Sequence, residues 1–218
     1  MGNEDISEGI VRRGGRLLFS QPCTFVAAAP TPRSLPAPTL PEVAFAGRSN
    51  SGKSSLINAL TGRRDLAHAS KTPGRTRSVN IFNLGGRLHL IDLPGYGYAR
   101  AGKVEVAGWA RTVDSYLTGR SSLHRVCLLL DARRGPTDND REACKHLDII
   151  GMTYQLVLTK ADKVKKTELE AVVERTREDL GRLPAAFPRI VVTSSRTGSG
   201  MAELRDELAA LAVPVGKR

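Results

Sequence analysis

Short apolar runs alternate with amphipathic segments along most of this chain. Five of the runs are continuous and rich in Val, Leu and Ile, which is typical of strands buried on both faces: EVAFAG, RLHLIDLPG, HRVCLLLDA, YQLVLTKAD and RIVVTSS. Strands and helices that take turns predict an α/β fold, with a mostly parallel central sheet and helices on both faces. Because ligands of such sheets bind outside the carboxyl ends of the strands, we expect the functional residues directly after strands.

Three amphipathic segments are predicted to be helices that pack by one apolar face. Their apolar residues recur at intervals of three and four positions: Val106, Trp109, Val113 and Tyr116; then Leu169, Val172, Val173 and Leu180 within residues 167–180; and finally Met201, Leu204, Leu208 and Leu211. We interpret all three stripes as core-packing faces.

The N-terminal part follows a different pattern. Residues 1–20 predict a weak helix or a mobile lead-in, and CTFVAAA, from Cys23 to Ala29, predicts a possible edge strand. Five of the twelve prolines lie between Pro30 and Pro41, which argues against a regular helix and predicts an extended connector. We therefore expect an N-terminal extension over residues 1–40, a folded domain over residues 41–213 and a short tail over residues 214–218.

Charge and cysteine content narrow the setting of the protein. Among 218 residues, 33 are Lys or Arg and 22 are Asp or Glu, which gives a formal net charge of +11 and favours a polyanionic partner. A plainly basic surface without such a partner is the alternative. Three widely spaced cysteines indicate neither a disulfide framework nor a zinc site, and no signal peptide or membrane span is recognisable. We expect a soluble protein of the reducing cytoplasm, with no membrane partner.

The stretch GRSNSGKSS follows the predicted strand EVAFAG and precedes a predicted helix. Two glycines separated by four residues and followed by Lys and Ser match the phosphate-binding P-loop pattern. Backbone N–H groups and the N-terminus of the helix would face phosphate oxygens, the lysine would face the β and γ phosphates, and Ser54 would bind Mg²⁺. A simple glycine turn is the alternative. The predicted nucleotide contacts here are Gly47, Arg48, Ser49, Asn50, Ser51, Gly52, Lys53, Ser54 and Ser55.

A second candidate segment, DLPG, comes directly after the strand-like run RLHLI. An Asp at a strand end can hold a water bound to Mg²⁺, and a Gly three residues later can offer its N–H to a γ-phosphate. Alone the pattern is often only a turn, but its place about forty residues after the P-loop, on a strand, favours the functional interpretation. The segment comprises Asp92, Leu93, Pro94 and Gly95.

The choice of base is predicted by a third segment, TKAD, again after a strand. A fixed carboxylate can accept two hydrogen bonds from guanine, and adenine cannot supply that pair of donors, so Asp162 favours GTP and GDP over ATP. A helix-capping or solvated acid is the alternative. The base contacts predicted here are Thr159, Lys160, Ala161 and Asp162, with Thr193, Ser194 and Ser195 after the last strand near the O6 edge.

The ordered series GRSNSGKS, TPGRT, DLPG, TKAD and TSS resembles the translation-factor-related GTPases. Within them, SKTPGRT (residues 70–76) and DLPGYGYA (residues 92–99) are similar to the EngB (YihA/YsxC) family of ribosome-biogenesis GTPases. The resemblance covers residues 20–212 and implies a Mg²⁺-dependent GTP switch that helps to assemble the large ribosomal subunit, through rRNA and ribosomal proteins. It also implies that loss of function impairs growth and septation. We expect a monomer and no DNA partner.

The same resemblance assigns a first switch segment that closes over the nucleotide. In it, Thr76 would reach Mg²⁺ when a γ-phosphate is present, alongside Ser54 and, through water, Asp92. The residues assigned to hydrolysis are Lys53, Thr76 and Gly95. The closing segment comprises Gly74, Arg75, Thr76, Arg77 and Ser78.

Several positions depart from the family or class pattern. Arg77 stands where the family usually has Gln, and Ser51 where Val is common. Tyr96 occupies the place at which fast small GTPases have a water-orienting Gln, so we expect slow intrinsic hydrolysis. Asn50 resembles an asparagine that helps to hold a monovalent cation in related GTPases, which makes K⁺ a candidate cofactor, although a purely structural role is equally compatible.

Residues 61–78 carry five basic side chains against one acid, which would couple nucleotide state to attraction for RNA phosphates. A solvated basic loop is the alternative. Two other functions stay open from the sequence. One is a P-loop phosphotransferase acting on a small molecule, which would leave Asp162 unexplained. The other is a GTPase that modifies tRNA or gates a transporter, which would need an added domain or membrane spans.

Overall fold

A seven-stranded sheet forms the centre of the molecule. The computed structural model describes residues 14–67, 78–96, 113–180 and 182–214. Within them the sheet has the order β1-β3-β4-β2-β5-β6-β7. The strands are β1 Cys23–Ala29, β2 Glu42–Gly47, β3 Val79–Leu84, β4 Leu88–Asp92, β5 Leu123–Asp131, β6 Tyr154–Thr159 and β7 Val191–Val192.

Five of the seven strands run in parallel. Strand β2 pairs in parallel with both β4 and β5, β5 with β6, and β6 with β7, while β1 and β3 join the β4 side in antiparallel pairs. The predicted mostly parallel α/β sheet is confirmed, and so is the predicted edge strand at Cys23–Ala29. The parallel strands therefore present their carboxyl ends along one edge of the sheet.

Strand β3 is absent from the sequence-based expectations. Its sequence, VNIFNL, carries Asn80 and Asn83, which interrupt the apolar run. It is joined to β4 by a tight turn in which Gly85 and Gly86 have φ of 58° and 66°, a left-handed conformation that glycine adopts without steric cost. The partners supplied by β1 and β4, and not its own composition, make this segment a strand.

Helices cover both faces of the sheet. They are α1 Lys53–Thr61, α2 Asp138–Ile149, α3 Lys166–Asp179 and α4 Met201–Ala209; residues 14–19 and 113–119 are also helical. The proline-rich connector contains one 3₁₀ turn, Pro32–Ser34, and is otherwise neither helix nor strand. The helices predicted over residues 167–180 and from Met201 onward are confirmed. Val113 and Tyr116 lie on residues 113–119, whereas Val106 and Trp109 fall outside the described residues.

Side chains of successive strand residues alternate between two apolar cores. Val43 and Phe45 of β2 pack with residues from α1, α4 and the helical residues 14–19, whereas Ala44 packs on the opposite face. The second core contains Tyr116, together with apolar residues of α2 and α3. Cys144 and Leu147, both on α2, are among them. Cys23, Cys127 and Cys144 are all buried and unpaired. Among the described residues, no helix combines the length and apolarity needed to cross a bilayer.

A buried acid fixes the amino end of the central strand. Glu42 is fully buried and accepts hydrogen bonds from Tyr116 Oη (2.6 Å) and from the Arg120 guanidinium, whose Nη2 lies 2.6 Å from Oε1. Burial raises the pKa of Glu42, but the hydrogen bonds from Arg120 and Tyr116 and the positive charge of Arg120 outweigh it and lower the pKa to about 2. This contact ties the helical residues 113–119 to the start of β2.

We predict that Glu42→Gln lowers the free energy of unfolding by about 2–4 kcal/mol at pH 7, because it leaves the buried Arg120 charge without its partner. A depressed carboxyl pKa stabilises the fold above the unfolded-state value of 4.5, and this contribution is lost as pH falls toward 2. Urea unfolding at pH 6 and pH 3 should therefore show a smaller difference between variant and wild type at the lower pH. The exposed Glu170→Gln on α3 is the control. A gap that stays constant with pH would contradict this account.

Candidate functional site

The glycine-rich loop joins β2 to α1 at the carboxyl edge of the sheet. Strand β2 ends at Gly47 and α1 begins at Lys53, so five residues make the whole turn. Asn50 and Gly52 have φ of 66° and 96°, and the Ser51 N–H donates to Arg48 O at 2.9 Å. This tight turn brings the N-terminus of α1 to the same edge as the other strand ends, where it favours an anion.

Gly47 is needed for close packing of the loop. A Cβ at this position would lie 2.6 Å from Ser51 Oγ and 2.9 Å from Leu129 O. The Ser51 side chain is buried, and its Oγ has no hydrogen-bond partner within the described part of the chain. The serine that replaces the more common valine is therefore accommodated as a small buried side chain.

Lys53 and Asp92 form a buried ion pair between the first residue of α1 and the last residue of β4. Their side chains are 8% and 3% exposed, and Lys53 Nζ contacts Asp92 Oδ1 directly. The sequence predicts Lys53 for nucleotide phosphates and Asp92 for a Mg²⁺-bound water. The structure brings these two groups into contact, and Ser54 is the next residue of α1.

The oxygen donors at this point suit Mg²⁺. Asp92 supplies a buried carboxylate at the end of β4, and Ser54 supplies a hydroxyl in the first turn of α1. Carboxylate and hydroxyl oxygens are the ligands that Mg²⁺ takes, together with water and substrate phosphates. Among the described residues, no group of three or more His, Cys, Asp or Glu side chains able to hold a metal ion is found.

The DLPG segment lies directly against the P-loop. Leu93 and Pro94 are buried, and the Leu93 N–H donates to Phe45 O at 3.1 Å, so the β2–β4 contact continues past the end of β4. A Cβ on Gly95 would lie 3.1 Å from Ser49 N and 3.2 Å from Ser49 Cα. A side chain here would press on the P-loop backbone, and the close approach places residue 95 beside the predicted phosphate contacts.

The TKAD segment is tied to the P-loop by side-chain contacts. The Thr159 hydroxyl lies within donating distance of two backbone carbonyls: Oγ1 is 2.6 Å from Ser51 O and 3.1 Å from Leu130 O. Lys160, with φ of 59°, contacts Asn50 O and lies 2.8 Å from Asp131 Oδ2. We call Thr159–Asp162, which is predicted to contact the base, the base-reading loop. These contacts fix its position relative to the P-loop.

Asp162 is held with both carboxylate oxygens engaged. Ser194 Oγ donates to Oδ1 at 2.6 Å and Arg196 Nε to Oδ2 at 2.7 Å. The hydrogen bonds from Ser194 and Arg196 lower the pKa of Asp162, so it is ionised at neutral pH and can accept hydrogen bonds. Thr193 and Ser194 are buried, and Thr193 O accepts the Ala161 N–H at 3.1 Å. The loop after β7, which contains Thr193, Ser194 and Arg196, thus holds the base-reading loop in position.

Two residues that contact the predicted site, Asp131 and Arg196, were not predicted from the sequence. Asp131 ends β5 and pairs with Lys160, and burial raises its pKa less than hydrogen bonds from Arg133 and Lys160 lower it, to about 2. Arg196 follows the TSS motif and pairs with Asp162. The signal for Asp131 was an acid at the end of an apolar strand, the same signal that identified Asp92. For Arg196 it was only its place next to the motif.

A cavity of about 600 Å³ lies between the P-loop helix and the base-reading loops, a size that accommodates a nucleotide base and sugar. Residues from all three loops line it, including Gly52, Ser55, Thr159, Lys160, Asp162, Ser195 and Arg196.

The first switch segment is different. Gly74, Arg75, Thr76 and Arg77 lie outside the described residues, whereas Ser78 is described and its hydroxyl donates to Asn80 Oδ1 at 3.0 Å.

A P-loop, an acid at the end of β4 and the carboxylate predicted to read guanine lie on one edge of a mostly parallel sheet. This is the arrangement of the class of P-loop GTPases. Comparison with known proteins agrees. The family model for 50S ribosome-binding GTPases matches residues 42–160. The "Probable GTP-binding protein EngB" of Rhodospirillum rubrum is 51% identical over 92% of this chain and 89% of its own length. That of Cereibacter sphaeroides is 52% identical over 92% of both chains.

Solved structures show the same fold. A crystal structure of a probable GTP-binding protein EngB superposes with a TM-score of 0.61 at 23% identity, covering 78% of this chain and 98% of that one. Era, crystallised with MgGDPNP and nucleotides 1506–1542 of 16S ribosomal RNA, gives a TM-score of 0.65 at 21% identity over 84% of this chain and 59% of its own. The chain belongs to the EngB family of GTP-binding proteins, and this membership decides for a GTPase over a small-molecule phosphotransferase.

We predict that Asp162→Asn weakens GTP and GDP binding at least about 100-fold, because the base-reading carboxylate gains a donor where guanine needs an acceptor. Xanthosine nucleotides should recover part of the loss. Titration of fluorescent nucleotides measures both effects, with Asp138→Asn, whose side chain is 94% exposed on α2, as control. Unchanged GTP affinity in the Asp162 variant would show that Asp162 does not recognise the guanine base.

Proposed function

We propose that this GTPase acts as a Mg²⁺-dependent switch in the assembly of the large ribosomal subunit and is needed for normal growth and septation. The observation that carries the proposal is the agreement between the site and the family: residues 42–160, which hold the P-loop, the DLPG segment and Thr159-Lys160, match the model of 50S ribosome-binding GTPases. We further propose that it works as a monomer in the cytoplasm, where ribosomes are assembled. The division into residues 1–40, 41–213 and 214–218 stays part of this proposal.

The charge of the protein supports an RNA-containing partner. Its net charge is +11, and the exposed Arg63 and Arg64 lie in the loop after α1, at the rim of the nucleotide cavity. Era, which shares the fold over 59% of its own length, was crystallised with a segment of 16S ribosomal RNA, and this supports an RNA-containing partner for this chain. Basic side chains beside the nucleotide would link its state to attraction for RNA phosphates.

In this proposal Mg²⁺ is held by Ser54, by Thr76 and, through water, by Asp92. The bound ion would neutralise charge on the β and γ phosphates. Lys53 binds and orients the same phosphates, and the Gly95 N–H donates to the γ-phosphate. Gly95 contacts the γ-phosphate, which GDP lacks, and Thr76 reaches Mg²⁺ only when a γ-phosphate is present. Both the first switch segment and the second, which begins with DLPG, therefore respond to hydrolysis. The first switch segment consists of Gly74, Arg75, Thr76, Arg77 and Ser78.

Hydrolysis is proposed to be slow without a partner. Tyr96 stands where a water-orienting Gln would act, and its hydroxyl is engaged by Asp140 at 2.8 Å. The chain therefore lacks, in the described residues near Gly95, the side chain that small GTPases use to position the attacking water. A potassium ion beside Asn50 would supply charge stabilisation in its place. Asn50 is exposed at the top of the P-loop, with a left-handed backbone that Lys160 holds through its carbonyl.

We predict stronger binding to 50S subunits with a non-hydrolysable GTP analogue than with GDP, and no preference for 30S subunits. Thr76→Ala should abolish the nucleotide dependence, whereas Thr167→Ala, an exposed threonine in the first turn of α3, should leave it intact. Cosedimentation under both nucleotide conditions measures this. Higher salt should weaken binding steeply if phosphates form the contact. Equal pelleting with both nucleotides would refute the switch.

We also predict that potassium stimulates GTP hydrolysis. Steady-state assays in KCl and NaCl at equal ionic strength should show the stimulation in wild type and its loss in Asn50→Ala. The alternative source of positive charge is Arg77, so Arg77→Gln is tested alongside and should keep the potassium response. A wild type indifferent to the cation would rule out the site.

A further inference from the structure

Tyr96 directly follows the DLPG segment, the start of the second switch segment, and links it to two other parts of the molecule. Its backbone N–H donates to Gly47 O, and its carbonyl accepts the Ser49 N–H, both at 3.2 Å. Arg48 and Tyr96 thereby form one further parallel bridge beyond the ends of β2 and β4. Its side chain packs against the second apolar core, and its hydroxyl donates to Asp140 Oδ1 at 2.8 Å.

The acceptor, Asp140, is itself rigidly held. It is 2% exposed in the first turn of α2, and its second oxygen, Oδ2, accepts from the Thr137 N–H at 2.9 Å and the Thr137 hydroxyl at 2.6 Å. One carboxylate thus caps a helix and receives the tyrosine. Burial and the Asp140 charge raise the pKa of Tyr96 well above its ordinary value, so at neutral pH the phenol stays protonated and donates.

Gly95 is confined by these contacts. It lies between Pro94, which is buried, and Tyr96, which is bonded on both its backbone and its side chain. The space above Gly95 is closed by Ser49, since an added Cβ would lie 3.1 Å from Ser49 N. Gly95 therefore cannot move away from the P-loop unless Tyr96 moves with it. An ordered binding group loses less conformational entropy on binding than a loose one.

We propose that Asp140 is a positioning residue that acts through Tyr96: it fastens the start of the second switch segment to α2 and so holds the Gly95 N–H beside the P-loop, where it is ready for a γ-phosphate. Asp140 touches neither nucleotide nor reacting atoms in this role. Tyr96 is a tether, which explains why an aromatic residue with a hydroxyl stands at the usual position of a water-orienting Gln. The inference rests on the Gly95 contact with the γ-phosphate in the proposed function; it concerns discrimination between GTP and GDP and does not depend on a ribosomal partner.

The test is the ratio of affinities for a non-hydrolysable GTP analogue and GDP. Tyr96→Phe keeps the ring and removes only the donor. It should lower affinity for the analogue about tenfold and for GDP less than about twofold, because only the analogue uses Gly95 and one hydrogen bond to a charged acceptor is lost. Asp140→Asn, whose amide can still bond both Tyr96 and Thr137, should lie between wild type and Tyr96→Phe.

Two further variants separate positioning from stability. Asp140→Ala should show the same loss of ratio as Tyr96→Phe, together with a lower melting temperature from the lost cap, and adding Tyr96→Phe to it should change the ratio no further. Tyr154→Phe removes another tyrosine hydroxyl from the same apolar core and should leave the ratio unchanged. An unchanged ratio in Tyr96→Phe, equal weakening of both nucleotides, or independent effects in the double variant would overturn the proposal.

Discussion

The site depends on one constraint: the central strand β2 is hydrogen-bonded in parallel to a strand on each side. Phe45 lies opposite Asp92 of β4, and Gly47 lies opposite Leu129 of β5. All three strands are largely buried, so their backbone groups must be paired and their register cannot slip without exposing apolar side chains. The register alone therefore brings the P-loop, the acid at the end of β4 and the end of β5 to the same edge.

Beyond the strand ends, side chains take over from backbone pairing. The Thr159 hydroxyl lies within hydrogen-bond distance of two carbonyls on two different elements, Ser51 O and Leu130 O, in a buried position. A buried polar group that loses its partner pays its full desolvation cost, so such a contact is far more expensive to break than a solvated one. This explains why a threonine, which offers both a hydroxyl and a compact apolar part, suits the start of the base-reading loop.

The sequence was sufficient where local pattern determines structure. Continuous apolar runs identified the parallel strands, and the motifs after them identified Gly47–Ser55, Asp92–Gly95 and Thr159–Asp162. It was insufficient where the partner is distant in sequence. Strand β3 carries two asparagines and is a strand because β1 and β4 flank it, and the contact of Tyr96 with Asp140 spans 44 positions. The period of a pattern contains no information about such partners.

Three acid–base pairs join the loops at the functional edge, and their burial decides which of them matters for stability. Lys53–Asp92 joins the P-loop helix to β4, Lys160–Asp131 joins the base-reading loop to β5, and Arg196–Asp162 joins the last loop to the base-reading loop. In the first pair both side chains are less than a tenth exposed, so removing either partner would leave a buried charge at a cost of several kcal/mol, about 3–5. In the third, the Arg196 side chain is 66% exposed, and solvent screens the attraction. The phosphate end of the site is therefore fixed by the fold, while the base end holds its carboxylate through the buried Ser194 and leaves Arg196 free to exchange partners at little cost.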